Sequence, residues 1–162
     1  MIVKKETLKE SANSLLLERG VTLEDMGELV YFLQKDYVKD LTMAICKENV
    51  EAVLEKREVQ NAIVTGIQLD ILAEKNQLLE PLQEIVSTDE SLYGIDEIMA
   101  LSIVNVYGSI GFTNYGYIDK VKPGVLAKLN SHEGGQVHTF LDDLVGAIAA
   151  AAASRIAHSV PQ

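Results

Sequence analysis

Apolar residues recur at three- and four-residue intervals along most of the chain, a spacing that predicts helices rather than strands. Residues 7–19 read as a first helix closed by Gly20. Thr22 caps a second over 22–39, with Asp25 in capping-box position and Leu29, Phe32, Leu33 and Tyr37 as its apolar stripe. A third spans 41–56, with Met43, Val50, Val53 and Leu54 facing inward and Lys47, Glu48, Glu51 and Glu55 in solvent. A fourth, 57–74, carries Val59, Ile63, Ile67, Leu69, Ile71 and Leu72, and the pattern leaves open whether these two are one bent helix. Residues 78–86, with Pro81, come next, and Ser87-Thr88-Asp89-Glu90 reads as a turn or cap.

After Gly94 the pattern changes. Residues 98–118 carry no charge and are numerous enough to cross a bilayer. Ser102, Asn105, Ser109, Thr113, Asn114 and three glycines dilute that stretch, so a helix buried inside a bundle is the expected form. Residues 111–116 are expected to bend or break it, and Lys122-Pro123-Gly124 interrupts the chain, since proline disfavours helix at the residue before it. Residues 131–137 form a polar loop. The last helix, 140–158, has an alanine-rich middle that permits close helix approach, which places it near the centre. With weak strand signals, no repeat and no linker, residues 1–162 are expected to form one all-α domain. It is a bundle of about six helices around an apolar, Ala-rich central helix.

Composition narrows the function classes. The 162 residues are 48% hydrophobic and 23% charged, as in soluble globular domains. A net charge of -10 argues against nucleic acid and against passive adhesion to an anionic membrane. The lone cysteine, Cys46, rules out an internal disulfide and suits a reducing compartment and a packing role. The charged residues 1–10 lack the apolar stretch of a signal peptide, and a cytoplasmic location is expected.

Against this background two acidic pairs stand out, Asp96-Glu97 and Asp142-Asp143, each in an apolar, helix-like stretch. One reading is local. Thr139 can cap the last helix, and acidic residues in a first turn are favoured by the helix dipole by about 0.3–1 kcal/mol. The other is joint: pairs on facing helices supply two to four oxygen donors for a hard divalent cation, with water and substrate phosphate completing the shell, as Mg²⁺ is commonly held. Between the pairs lie Asp119 and Lys122, a lysine able to bind phosphate as a point charge. Gly134-Gly135 offers backbone N–H groups to an anion, or is only a flexible turn. His132 and His138 flank that loop as candidate proton donors, and Asp70 either helps build the site or caps a neighbour.

The order of these segments resembles the phosphatidylglycerophosphatase A family. Gly94-Ile95-Asp96-Glu97-Ile98 is similar to the family's Asp-Glu motif. Ile118-Asp119-Lys120-Val121-Lys122-Pro123 is similar to its Phe-Asp-x-x-Lys-Pro stretch, with Ile118 in place of Phe. Gly134-Gly135 and then Asp142-Asp143-Leu144-Val145-Gly146-Ala147 are similar to its Gly-rich segment and Asp-Asp-x-x-Ala-Gly, with the small pair reversed. The whole chain looks like a soluble branch of the family: the Pro-Gly-Thr-rich N-terminal motif and transmembrane helices of the membrane-embedded members are absent.

The resemblance implies an all-helical Mg²⁺-dependent phosphatase that removes the terminal phosphate of phosphatidylglycerophosphate or a related phosphomonoester. Asp96, Glu97, Asp142 and Asp143 are then the Mg²⁺ ligands. Lys122, with Gly134 and Gly135, binds the substrate phosphate, and Asp119, Lys122 and Asp143 form the catalytic set. Water attack is the preferred route over a phospho-aspartate. The expected partners are a phospholipid or other phosphomonoester, at most a peripheral membrane contact around 111–117, and a second copy of the chain. A different class is also open, a non-catalytic helical module that binds a metal, a phospho-ligand or a protein through the Ala-rich helix and Tyr107, Tyr115 and Tyr117.

Overall fold

The computed structural model of the chain describes residues 6–131 and 133–159; residues 1–5, His132 and residues 160–162 lie outside them. The described residues contain nine α-helices and no strand: α1 Leu8–Glu18, α2 Leu23–Gln34, α3 Met43–Leu54, α4 Arg57–Glu74, α5 Leu82–Ser87, α6 Ile95–Val104, α7 Ser109–Val121, α8 Val125–Asn130 and α9 Leu141–Ser159. The all-α expectation holds, with more helices than six.

Local signals set most helix starts. Thr7 with Glu10, and Thr22 with Asp25, form reciprocal capping boxes, and the Thr42 hydroxyl accepts from Ile45 N–H at the start of α3. Gly20 follows α1 at φ 83°, as a glycine past a helix end should. α2 stops at Gln34, short of the expected 39. The chain then turns so that Val38 packs on the core, and Tyr37 is 82% exposed rather than part of a buried stripe. α3 and α4 are separate helices. Lys56 leaves the helical region at ψ 128°, and the Gln60 side-chain amide donates to Leu54 O, satisfying a terminal carbonyl of α3.

The uncharged stretch is not one buried helix. α6 ends at Val104, a 3₁₀ turn covers Asn105–Tyr107, and Gly108 takes φ 82°, a conformation open to glycine. The break thus falls before 111–116. Gly111 instead sits inside α7, where an added Cβ would lie 3.0 Å from Val104 Cγ1. α5, α7 and the short α8 are the three described helices beyond the expected six. No described helix is long and apolar enough to cross a membrane.

α9 is the axis, as its alanines predict. Every residue from Leu141 to Ser154 is buried, and α2, α3, α4, α6, α7 and α8 surround it. Its N-terminus is not capped by Thr139, whose hydroxyl donates to Val86 O at 2.6 Å. The cap comes from α4: the Asp70 carboxylate accepts from Phe140 N–H at 3.0 Å and Leu141 N–H at 3.0 Å. One turn further along α4, Glu74 pairs with Arg19 at 2.9 Å and accepts from Val137 N–H. Asp70 therefore caps a neighbour, and Cys46 is a buried packing residue.

Candidate functional site

Three helix ends meet at one cleft. α6 begins after Gly94, which takes φ 81°, and so delivers Asp96 and Glu97 in its first turn. α7 ends at Lys122, held in the left-handed region at φ 49° with its N–H on Ile118 O. That closure turns Lys122 back beside Asp119, three residues earlier. α9 begins with Asp142 and Asp143 in its first turn. The cleft encloses about 450 Å³ and is walled by Asp96, Glu97, Asp119, Lys122, Asp142 and Asp143, with the 89–94 loop and Asn130 completing it.

The two carboxylates of the α9 pair point to different partners, as neighbours about 100° apart on a helix must. Asp142 Oδ2 stands 3.5 Å from Lys122 Nζ, and its Oδ1 accepts from the Asp143 N–H at 2.8 Å. Lys122 Nζ also donates to Asp119 Oδ1 at 3.0 Å. Asp143 turns the other way and shares a hydrogen bond with Asp96 of α6. The two acidic pairs thus meet in one cleft: Asp142 is bound to the lysine at the α7 end, and Asp143 to Asp96 of α6.

Charge in this cleft is out of balance. Burial pushes the Asp142 carboxyl above the ordinary carboxylate range. Lys122 pulls against that shift, and Asp89 adds to it. Burial also raises Asp143, and the charge of Asp142 and the hydrogen bond with Asp96 push the same way. Burial works against the Lys122 ammonium, yet Asp142 and the hydrogen bond to Asp119 outweigh it and hold its pKa above the ordinary lysine value. Among the described residues Lys122 is the only basic one lining the cleft, facing seven acidic ones.

No three acidic, histidine or cysteine side chains among the described residues form a ready-made cluster for one ion. Mg²⁺ does not require one, since it keeps several waters and takes one or two carboxylates plus substrate oxygens. The Asp96–Asp143 pair, two carboxyl groups sharing a hydrogen bond within a partly buried cleft, has the oxygen chemistry that suits such an ion.

Other candidates lie elsewhere. Gly134 and Gly135 are exposed in the 3₁₀ turn Glu133–Gly135 and do not line this cleft. His138 lines a separate groove with Arg19 and Lys128, and His132 is outside the described residues. The structure adds features that the sequence pattern does not single out. Asp89 and Glu90 form part of the cleft wall rather than a mere turn. Leu92, also on the wall, is fully exposed and takes φ 72°, an unfavourable conformation for a branched side chain by roughly 1–2 kcal/mol. Tyr115 is buried beneath the carboxylates; burial first, then the charge of Asp143, drives its pKa upward. The sequence offers Tyr115 as a packing surface for a partner chain, a reading its burial overturns; its one signal toward the cleft is the i,i+4 spacing from Asp119 on a helix.

Known proteins align along nearly the whole chain. The family model described as phosphatidylglycerophosphatase A matches residues 20–158. The uncharacterized protein YutG of Bacillus subtilis (strain 168) is 62% identical over 151 residues, 93% of this chain and 91% of its own. The uncharacterized protein YpjQ of the same organism is 55% identical over 160 residues, 97% of this chain and 90% of its own. The crystal structure of the low temperature requirement C protein from Listeria monocytogenes superposes with a TM-score of 0.93 at 69% identity, covering 96% of this chain and 98% of that one.

Proposed function

The chain belongs to the phosphatidylglycerophosphatase A family, and from that premise we propose that it is a Mg²⁺-dependent phosphomonoesterase acting on phosphatidylglycerophosphate or a related lipid phosphomonoester. The observation that carries this reading is the convergence of Asp96, Glu97, Asp119, Lys122, Asp142 and Asp143 on one cleft from three helix ends. A phosphate monoester is itself an anion, and a bare acidic cleft would repel it. The excess of carboxylates over the lone lysine therefore fits a site completed by a cation.

Asp96, Glu97, Asp142 and Asp143 would hold the ion. When bound, it supplies positive charge and Lewis-acid polarisation of the phosphoryl group. Lys122 neutralises a phosphoryl oxygen as a point charge, and Asp119 and Asp142 fix its ammonium from two sides, at 3.0 and 3.5 Å. Asp119 thus orients the lysine rather than touching substrate. Asp143, facing Asp96, positions the attacking water. Catalysis rests mainly on positioning and charge, as phosphoryl transfer requires.

Exposed apolar side chains beside the carboxylates support a lipid substrate. Leu92 lines the cleft, Ile95 and Ile98 flank Asp96-Glu97 on α6, and Val121 precedes Lys122, all of them exposed. They offer peripheral contact for an acyl chain or bilayer surface near the phosphate site.

Phosphate release from phosphatidylglycerophosphate in mixed micelles tests the proposal. Mg²⁺-dependent turnover is expected, abolished by chelator and reduced at least about 100-fold in Asp142→Asn. Equal turnover by wild type and Asp142→Asn would remove the carboxylate assignment. No turnover of this lipid or of any other phosphomonoester would sink the enzymatic reading.

A further inference from the structure

Tyr115 sits in the middle of α7 and is 6% exposed. Its ring lies against α9 at Gly146, where an added Cβ would stand 3.8 Å from Tyr115 Cε2. Asp119 follows it by one turn on α7, and Asp143 precedes Gly146 by one turn on α9, so the tyrosine lies between the acidic faces of both helices. Of the charges acting on its hydroxyl, Asp143 is the largest, followed by Asp119, Glu97 and Asp142. Yet this hydroxyl, shut away from solvent, has no hydrogen-bond partner among the described residues. Packing alone would be served equally by phenylalanine. A buried hydroxyl left without a partner is unfavourable, and such groups in native proteins call for an explanation.

We infer that Tyr115 is a positioning residue whose O–H donates to the Asp143 carboxylate when a divalent cation occupies the cleft. The inference rests on the metal-dependent reading of the cleft. Asp143 is engaged with Asp96, and the Tyr115 hydroxyl makes no hydrogen bond to a described residue. Asp96 and Asp143 would turn oxygens toward a bound ion. A ligating carboxylate is normally steadied by a hydrogen bond to its other oxygen, and Tyr115 offers the donor. The phenol suits this place because it is neutral, donates one hydrogen bond and adds no charge that would compete with the ion.

The test is a titration of Mg²⁺ alone into wild type, Tyr115→Phe, Asp143→Asn and the exposed control Tyr117→Phe. It is followed by calorimetry and by the near-ultraviolet tyrosine difference spectrum, with melting temperatures measured without metal. Tyr115→Phe is expected to melt at the same or a higher temperature, to bind Mg²⁺ about ten-fold more weakly and to lose the tyrosine difference signal. Tyr117→Phe should match wild type, and Asp143→Asn should lose binding. Unchanged Mg²⁺ affinity and spectrum in Tyr115→Phe, with binding lost in Asp143→Asn, would overturn the positioning role and leave the metal site standing. A lower melting temperature with unchanged affinity would identify Tyr115 as packing only and overturn it too. Absence of Mg²⁺ binding by wild type would remove the metal reading and this inference together.

Discussion

α9 meets buried carboxylates on two sides, and the two sides treat them differently. On the α4 side, Asp70 is fully buried, and both of its oxygens accept backbone N–H groups, from Phe140 and Leu141. Glu74 on the same helix is bound by Arg19 and by Val137 N–H, and the Arg19 hydrogen bond holds its pKa below the ordinary value. On the cleft side, Asp142 and Asp143 are nearly as buried, but Asp142 divides one lysine with Asp119, and Asp143 leans on another acid, Asp96. Satisfied carboxylates hold the helix in place. Unsatisfied ones store an electrostatic demand that a ligand can meet, the usual mark of a functional site.

The largest effects should separate these sides. Asp142→Asn is expected to lower phosphatase activity by about 10³-fold, equivalent to roughly 4 kcal/mol of transition-state stabilisation, while leaving the melting temperature unchanged or raised. Asp70→Ala should do the reverse and destabilise the fold by about 3 kcal/mol, because it strands two buried N–H groups at the start of α9. Denaturant unfolding of both variants checks this. A strongly destabilised Asp142→Asn would place that residue on the structural side and erase the distinction.

pH sharpens the same contrast. Burial pushes Asp70 up to about 8, against the backbone hydrogen bonds that pull it down, and Asp142 and Asp143 are raised as well. An acid whose folded pKa lies above its unfolded value stabilises the fold fully below the unfolded value, and that stability is lost as pH rises through the folded value. Stability should therefore fall from about pH 4 to about pH 8 through Asp70 and Asp142 and on to about pH 10 through Asp143, with each such group contributing at most about 1.4 kcal/mol per pH unit. Glu74 runs the other way, stabilising above its unfolded pKa, with the contribution lost as pH falls through its lowered one. Mg²⁺ at pH 8 should restore stability through Asp142 and Asp143, and it should do so equally in Asp70→Asn. Thermal melts with and without Mg²⁺ would show it. Restoration that depends on Asp70 would mean that the ion acts on the fold and not in the cleft.

The sequence made one side of this comparison far more readable than the other. The capping box at Thr22 is local and legible, and the alanine run announces a central helix because nothing larger allows such close approach. The three acidic and basic motifs are legible because their order along the chain matches a family. The true cap of α9 is not, since Asp70 lies 70 residues from Phe140 and only the fold brings them together. The same holds for the break at Gly108. Several glycines occupy that stretch, but Gly111 is enclosed within α7 against Val104, and the left-handed turn falls on Gly108. Helical spacing also continues past the real end of α2, which is why Tyr37 belongs to the stripe by pattern yet stands in solvent. Tyr115 hides because a tyrosine among apolar residues looks like packing.

The smallest expected effects concern how tightly each side grips α9. At Gly66 of α4, an added Cβ would stand 2.6 Å from Leu144 Cδ1 and 3.1 Å from Phe140 Cβ, and both residues are fully buried. Gly66→Ala should therefore lose about 1–2 kcal/mol net, since overpacking outweighs the helix-propensity gain. At Gly146 of α9, which faces α7 and α8, the same methyl meets Ile118, Tyr115 and Leu126 at 3.6, 3.8 and 3.9 Å, ordinary contact distances. Gly146→Ala should gain about 0.4–1 kcal/mol by restricting the unfolded chain. The opposite signs follow from one cause: the α4 face is closed against the side chains of Leu144, Phe140 and Met99, whereas the α7 face keeps a methyl's worth of room beside the carboxylates. Measured unfolding free energies of both variants decide it. A destabilised Gly146→Ala would mean that the cleft side is as rigidly packed as the α4 side, and that the difference between them lies in charge alone.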